Sequence, residues 1–209
     1  MTIFYIDTTS SYLYTAIVKD NNLLIENKKN LGKNLSIETV SIVSNMFNEV
    51  HIKPNDINKI IVVNGPGSFT GIRIGVTLAK IMAWSLNIPI LTITSMEAMA
   101  KSIKTDKLVV PIINARREAC YAAIFDGDKK ILEEKYLTIE KLKMFLLGLN
   151  KEYVFISNDS FPFEVEGYNP DILRIVNFYQ NRESLNPHLV NPLYLKLTEA
   201  EENRLKEND

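Results

Sequence analysis

The chain of 209 residues is poor in the residue types that build self-contained catalytic centres. It has one cysteine, Cys120, so an intrachain disulfide is excluded, and its place in an apolar stretch reads as a buried structural thiol rather than a nucleophile. Its two histidines, His51 and His188, lie far apart in sequence; with no cysteine pair, a zinc or iron site has no ligand set. No Ser-His-Asp or Cys-His grouping is apparent. Net charge is −1 and no Lys/Arg run exceeds a pair, which argues against a principal nucleic-acid binder while leaving room for minor contacts within an assembly. No apolar run reaches membrane-spanning length. The apolar stretch Ile3–Ile6 is too short and lacks the basic leader of a secretory signal, so a cytoplasmic protein is expected. What remains is ordinary for a globular chain, 46% hydrophobic and 23% charged, with ample capacity for a core.

The most informative stretch is Ile60 to Leu86. Ile60-Ile61-Val62-Val63 reads as a short buried strand, followed by the tight loop Asn64-Gly65-Pro66-Gly67-Ser68-Phe69-Thr70-Gly71 and a helix over 70–86. Gly65 and Gly67 flank a proline and permit positive φ on either side of it; Ser68 and Thr70 are candidate helix caps. Gly71, Gly75, Ala79 and Ala83 form a stripe of small residues that a neighbouring backbone can approach closely. Arg73, Thr77, Lys80 and Trp84 fall on the opposite side. The spacing fits neither a P-loop nor the Gly-x-Gly-x-x-Gly dinucleotide fingerprint, whose third glycine would arrive one residue before Gly71. Local chemistry allows a tightly packed corner or an anion at the helix N-terminus.

The elements repeat in order. Strands at 2–7, Tyr12–Val18 and Leu23–Asn27 precede a helix at about 35–50, the Ile60–Val63 strand, the glycine-loop helix, a strand at Ile90–Ile93 and a short helix opened by a capping box at Thr94 and Glu97. A polar boundary at 101–107 leads to strands at Leu108–Ile113, Ala119–Phe125 and Ile131–Leu137, a helix capped by Thr138, and a strand at Tyr153–Ile156. The pattern predicts two successive β-β-β-α-β units, the second less complete. Domains are expected at 1–103 and 104–209, with 161–186 unassigned and a frayed acidic tail at Glu199–Asp209.

The string from Gly65 to Gly75, Gly-Pro-Gly-Ser-Phe-Thr-Gly-Ile-Arg-Ile-Gly, resembles the signature of the bacterial TsaB (YeaZ) family, an accessory subunit of the tRNA threonylcarbamoyladenosine machinery. Further resemblance lies in Ile6-Asp7-Thr8-Thr9, in Asn114-Ala115-Arg116-Arg117-Glu118 with Tyr121, and in Pro192-Leu193-Tyr194-Leu195-Lys196. Asn114, Asn34 and Lys196 stand where the family usually has Asp, His and Arg. The resemblance implies an α/β protein of the actin-like (ASKHA, ribonuclease H-like) fold, built of duplicated β-β-β-α-β-α units with the second reduced. It implies a non-catalytic partner of TsaD in modifying the adenosine next to the anticodon, with TsaE as a further partner and tRNA met only through the complex. ATP and metal would belong to the partner subunits, no cofactor to this chain alone; the free protein could pair with itself.

Asp7 ends a strand where kinases of the same superfold place a metal- or phosphate-contacting carboxylate, but Thr8-Thr9-Ser10 lacks the glycine corner that closes on phosphate, so a structural role is favoured. Arg116, Arg117 and Glu118 read as a solvated, internally paired corner. The expected partner interface combines the off-stripe apolar residues of the two helices, Ile37, Val40 and Phe47 with Ile72, Val76 and Ala83, together with Lys80; the resemblance implies that it pairs with TsaD as a four-helix bundle. The rival readings are a small-molecule kinase or peptidase of the same superfold, and a homodimeric binding module.

Overall fold

The computed structural model describes residues 1–196 and contains two units, each organised on one five-stranded sheet. The first comprises Met1–Lys104 and Gly167–Pro192. Its strands β1 (Thr2–Asp7), β2 (Tyr12–Lys19), β3 (Asn22–Asn30), β4 (Lys59–Val63) and β5 (Ile90–Ile93) stand in the order β3-β2-β1-β4-β5. β1, β2 and β3 form an antiparallel meander, and β4 and β5 add in parallel. β1 is central and buried along its whole length, because alternate residues serve two cores. Phe4 and Ile6 face α1 (Leu35–Glu49) and α2 (Phe69–Leu86). Ile3 and Tyr5 face the opposite layer, which includes α5 (Ile172–Tyr179). The predicted capping box opens α3 (Ser95–Lys101): the Glu97 carboxylate accepts from Thr94 N at 2.8 Å, and Thr94 Oγ1 accepts from Glu97 N at 3.0 Å.

In the second unit, Thr105–Glu166 with the described residues from Leu193, the topology recurs. β6 (Leu108–Asn114), β7 (Ala119–Asp126) and β8 (Lys129–Thr138) form the meander, α4 (Ile139–Leu149) follows, and β9 (Tyr153–Ser157) pairs parallel to β6. The two-residue β10 (Glu166–Gly167) completes the sheet order β10-β9-β6-β7-β8. Leu142 and Leu146 of α4 pack on Val110, Ile112, Cys120 and Ile124. Burial pushes the Cys120 thiol up to about 11, as expected of a structural cysteine. The duplicated actin-like α/β fold is therefore as predicted, with the second unit reduced to one helix among the described residues.

Three expectations need correction. The contiguous second domain, 104–209, is interrupted, because Gly167–Pro192 return to the first unit. The cause is α5 in the unassigned stretch: Ile172, Ile175, Val176 and Tyr179, spaced i, i+3, i+4, i+7, bury one face against the first sheet, and Asp171 caps the helix by accepting from Arg174 N at 3.0 Å. β3 runs three residues beyond Asn27, where Tyr12 pairs with Asn30. The third concerns helix faces. Phe47, Ile72, Val76 and Ala83 are not on an outer flank; all four are buried in the core between α1, α2 and the sheet. Phe47 follows Val43 by four residues and so shares its face, its ring 5.8 Å from Phe4. α2 lies over the middle of the sheet, so it buries a wide arc rather than a narrow stripe. The acidic tail Glu199–Asp209 lies outside the described residues.

Phe47 is accordingly a folding residue. Phe47→Ala should lose roughly 3–5 kcal/mol in urea unfolding, and Phe47→Glu should fail to fold; a variant as stable as the parent would return Phe47 to the surface.

Candidate functional site: the glycine corner and the exposed face of two helices

The Gly65–Gly75 string forms a corner where α2 meets the turn between β1 and β2. Gly65 has φ 119°, a region that side chains disfavour, and its peptide bond to Pro66 is cis. The loop is tied to α3 at its back: Ser95 N donates to Gly65 O at 2.9 Å and Ser95 Oγ donates to Pro66 O. Ser68 caps α2, its Oγ accepting from Gly71 N at 3.2 Å. Thr70 is already inside the helix and exposed.

The glycines admit a backbone, as the stripe implied. A Cβ on Gly71 would stand 2.1 Å from Thr8 O, one on Gly67 2.2 Å from Thr9 O, and one on Gly75 2.4 Å from Thr8 Oγ1. Polar bonds lock the contact: Ser68 N donates to Thr9 O at 2.7 Å, and Thr8 Oγ1 donates to Gly71 O at 2.7 Å. Asp7 secures the other side. Its Oδ1 accepts from Thr9 N at 2.8 Å and from Thr9 Oγ1 at 2.7 Å. Burial raises the Asp7 carboxyl from 3.8 to about 6, with the two Thr9 bonds opposing the shift. Asp7 thus fixes a structural corner.

Outward from the corner, α1 and α2 present an apolar surface to solvent. Ile37 is 75% exposed and Val40 61% on α1; Ile81 is 57% and Trp84 65% exposed on α2. A groove of about 500 Å³ runs between the helices, lined by Val40, Phe69, Ile74, Leu78 and Ile81. Arg73 closes one side, its guanidinium 3.8 Å from the centre of the Phe69 ring. Of the predicted interface residues, Ile37 and Val40 lie on this surface. Lys80 does not lie open on it: its Nζ donates to Val190 O at 2.6 Å, holding the segment after α5 against α2. Phe69, Ile81 and Trp84 are the residues that sequence reasoning did not assign to the interface. The outward side of α2 was legible from Arg73, Thr77 and Trp84, and Ile81 extends it. Beside the groove a polar hollow of about 280 Å³, lined by Ser10, Ser11, Lys33, Ser36 and Ser68, opens near the start of α2.

Among the described residues, no three His, Cys, Asp or Glu side chains converge as a metal-binding group. No helix of the described residues is long and apolar enough to cross a membrane.

The model of the family described as TsaD, tRNA N6-adenosine threonylcarbamoyltransferase, matches residues 29–163. Fold and match together define a protein of the threonylcarbamoyladenosine group on a duplicated actin-like frame. A Bacillus subtilis tRNA threonylcarbamoyladenosine biosynthesis protein TsaB is 33% identical over 96% of this chain and 96% of its own length. A Buchnera aphidicola TsaB is 25% identical over 93% of this chain and 97% of its own. Among solved structures, YeaZ from Pseudomonas aeruginosa superposes with TM-score 0.76 at 16% identity, covering 92% of this chain and all of that one. A further P. aeruginosa protein, described as similar to peptidase YeaZ, gives TM-score 0.80 at 18% identity over 93% of this chain and 99% of its own. The chain belongs to the TsaB (YeaZ) family of tRNA threonylcarbamoyladenosine biosynthesis proteins.

Two outcomes follow from the corner. Gly71→Ala should destabilise the protein despite the gain of about 1 kcal/mol in helix propensity, because the new methyl meets backbone at Thr8; a raised melting temperature would show that the corner yields. For Asp7, the folded value lies above the unfolded one, so this group's contribution to stability falls as pH rises from about 4 through 6. The full swing is about 3 kcal/mol. Asp7→Asn keeps an oxygen for both Thr9 bonds and cannot ionise, so its stability relative to wild type should be greater at pH 7.5 than at pH 4.5. Equal differences at the two pH values would place Asp7 in contact with water.

Proposed function

We propose that this chain acts as the partner and scaffold of a TsaD-type transferase in forming threonylcarbamoyladenosine next to the anticodon of tRNA, without performing the transfer itself. The observation that carries it is the exposed apolar face of α1 and α2, where Val40, Phe69 and Ile81 line a groove and Ile37 and Trp84 stand open on the same two helices. Apolar side chains this open on two adjacent helices suit a helix-on-helix interface, completed as a four-helix bundle by two helices of the partner. Family membership supports the choice of partner. The commitment of Asp7 and Thr9 to the corner supports the absence of a kinase-like phosphate site, since the amide of Thr9 is already used. ATP and metal chemistry then belong to TsaD and to a TsaE-type ATPase, tRNA is met through the assembly, and the complex works in the cytoplasm.

Depleting the protein should lower threonylcarbamoyladenosine in bulk tRNA, read by mass spectrometry; an unchanged level would remove the assignment. Val40→Glu carries the structural part. An unpaired carboxylate buried at the interface should weaken binding of TsaD at least about 100-fold, while the free chain, in which residue 40 meets water, keeps its melting temperature. Retained co-purification would place the interface elsewhere. Sedimentation of the free chain with and without the substitution tests whether it also self-associates through this face.

A further inference from the structure

The segment that follows α5 crosses from one layer of the first unit to the other. Tyr179, in the last turn of α5, is buried in the core on that side of the sheet, and Val190 is buried in the core beneath α1 and α2. Between them the chain passes β5, the edge strand, where Leu185 N donates to Ile90 O at 2.7 Å, and so covers a row of groups open to pairing. Arg182 holds the near end of this strap, its guanidinium on both oxygens of Glu97 at 2.9 and 3.2 Å. At the far end Lys80 Nζ donates to Val190 O at 2.6 Å, and Asn64 Nδ2 donates to Asn191 O at 3.2 Å.

The strap ends in a 3₁₀ turn at Pro187–Leu189. Asn186 caps it, with Oδ1 accepting from His188 N at 2.9 Å, and Leu189 N donates to Asn186 O at 2.9 Å. Pro187 and Pro192 restrict the backbone on either side. Val190 is 1% exposed and anchors the turn, while its neighbour Leu189 is 69% exposed. A leucine is thus held open to solvent by a fixed turn.

α2 lies between this turn and α1. Ile74, Leu78 and Ile81 line the groove on the α1 side. Lys80 and Trp84, one helical turn apart, meet the strap on the other flank. Lys80 does so through Val190 O, and Trp84 through His188, with ring centroids 6.4 Å apart and inclined at 66°. The open apolar surface therefore does not stop at α2. It continues from Val40 across Ile81 and Trp84 to the turn that carries Leu189. From Ser184 to Pro192 the strap has no carboxylate, lysine or arginine, the charge-poor composition of an interface centre.

We propose that the Pro187–Leu189 turn is a third element of the docking face, with Leu189, next to the Trp84–His188 pair, as an anchor for a helix of the TsaD-type partner laid across α2. The assignment rests on the α1–α2 face being the docking face: an occupant that covers α2 from the groove to Trp84 meets the turn next. Tied at Glu97, Ile90 and Lys80, the turn is pre-organised, so binding need not order it.

Trp84 is the chain's only tryptophan, so a fluorinated tryptophan gives one fluorine signal for this part of the face. The labelled full-length chain is titrated with its TsaD-type partner, by fluorine NMR and by calorimetry, as wild type and as Leu189→Glu, Leu189→Met and Val40→Glu. Partner binding should shift the wild-type signal. Leu189→Glu should weaken binding at least about tenfold, and Leu189→Met should bind within about twofold of wild type. Both should keep the parent melting temperature, since residue 189 meets water in the free chain; should Leu189→Glu melt early, Leu189→Ser takes its place. Wild-type affinity in Leu189→Glu with lost binding in Val40→Glu overturns this inference and leaves the α1–α2 reading standing. Wild-type affinity in both variants overturns the two together. If Leu189→Glu abolishes self-association of the free chain in sedimentation yet binds the partner normally, the turn belongs to a contact between copies and the inference fails.

Discussion

The first unit depends on the approach of α2 to the Thr8–Thr9 corner. At Gly67 and Gly71 there is no room for a methyl group, because a carbonyl oxygen of the corner already lies within 2.2 Å of where it would be. This contact fixes both the height and the rotation of the helix. With Gly71 and Gly75 against Thr8, the residues one position on, Ile72 and Val76, are turned into the core, and Arg73, Thr77 and Trp84 are turned out. The exposed face is thus a geometric consequence of the glycine corner: Phe69, Ile81 and Trp84 cannot be withdrawn from solvent without lifting the helix from the sheet.

The corner sets turn against helix: the turn is Thr8-Thr9-Ser10, and the glycines that make room for it stand at the start of α2. The polar groups follow suit, with Thr9 N bound to Asp7, Thr9 O to Ser68 N and Thr8 Oγ1 to Gly71 O. Asp7, kept at the end of a central strand, holds the turn, at the cost of burying a carboxyl whose ionisation is disfavoured.

Much of this was legible because it is local. Apolar runs bounded by polar turns gave the strands, hydroxyl caps gave the starts of α2, α3 and α4, and a small-residue stripe gave the close approach without saying what approached. Helix faces were harder to read. On α1 and α2 nearly every second residue is apolar, so periodicity admits several rotations, and the choice was made by the corner and by the breadth of the sheet beneath. Phe47 and Val76 were misplaced for that reason. The return of α5 to the first sheet is likewise a long-range event; although Ile172, Ile175, Val176 and Tyr179 are spaced i, i+3, i+4, i+7, the stretch 161–186 stays unassigned from sequence because the sheet that the helix covers lies in the other half of the chain.

The left-handed turn at Arg116–Glu118, three successive residues with positive φ, is the most opaque feature, and its opacity has a physical origin. Turn reading relies on residues that adopt a conformation willingly, chiefly glycine, asparagine and aspartate. Asn114 is such a residue and does nucleate the turn, by accepting from Arg116 N. The next three residues have no such preference; they are held by Asp159, Ala119 and Ile139, contributed by other parts of the unit. In the first unit, Asp7 likewise accepts from the amide two residues on, but there the corner is a settled packing junction with α2 against it. The duplicated fold therefore treats equivalent strand ends differently: the first is met by a helix along Gly71 and Gly75, the second by the first residue of a helix, Ile139 of α4. The second corner is also tied to a helix of its own unit, because Ile139 N at the start of α4 donates to Glu118 O at 2.9 Å.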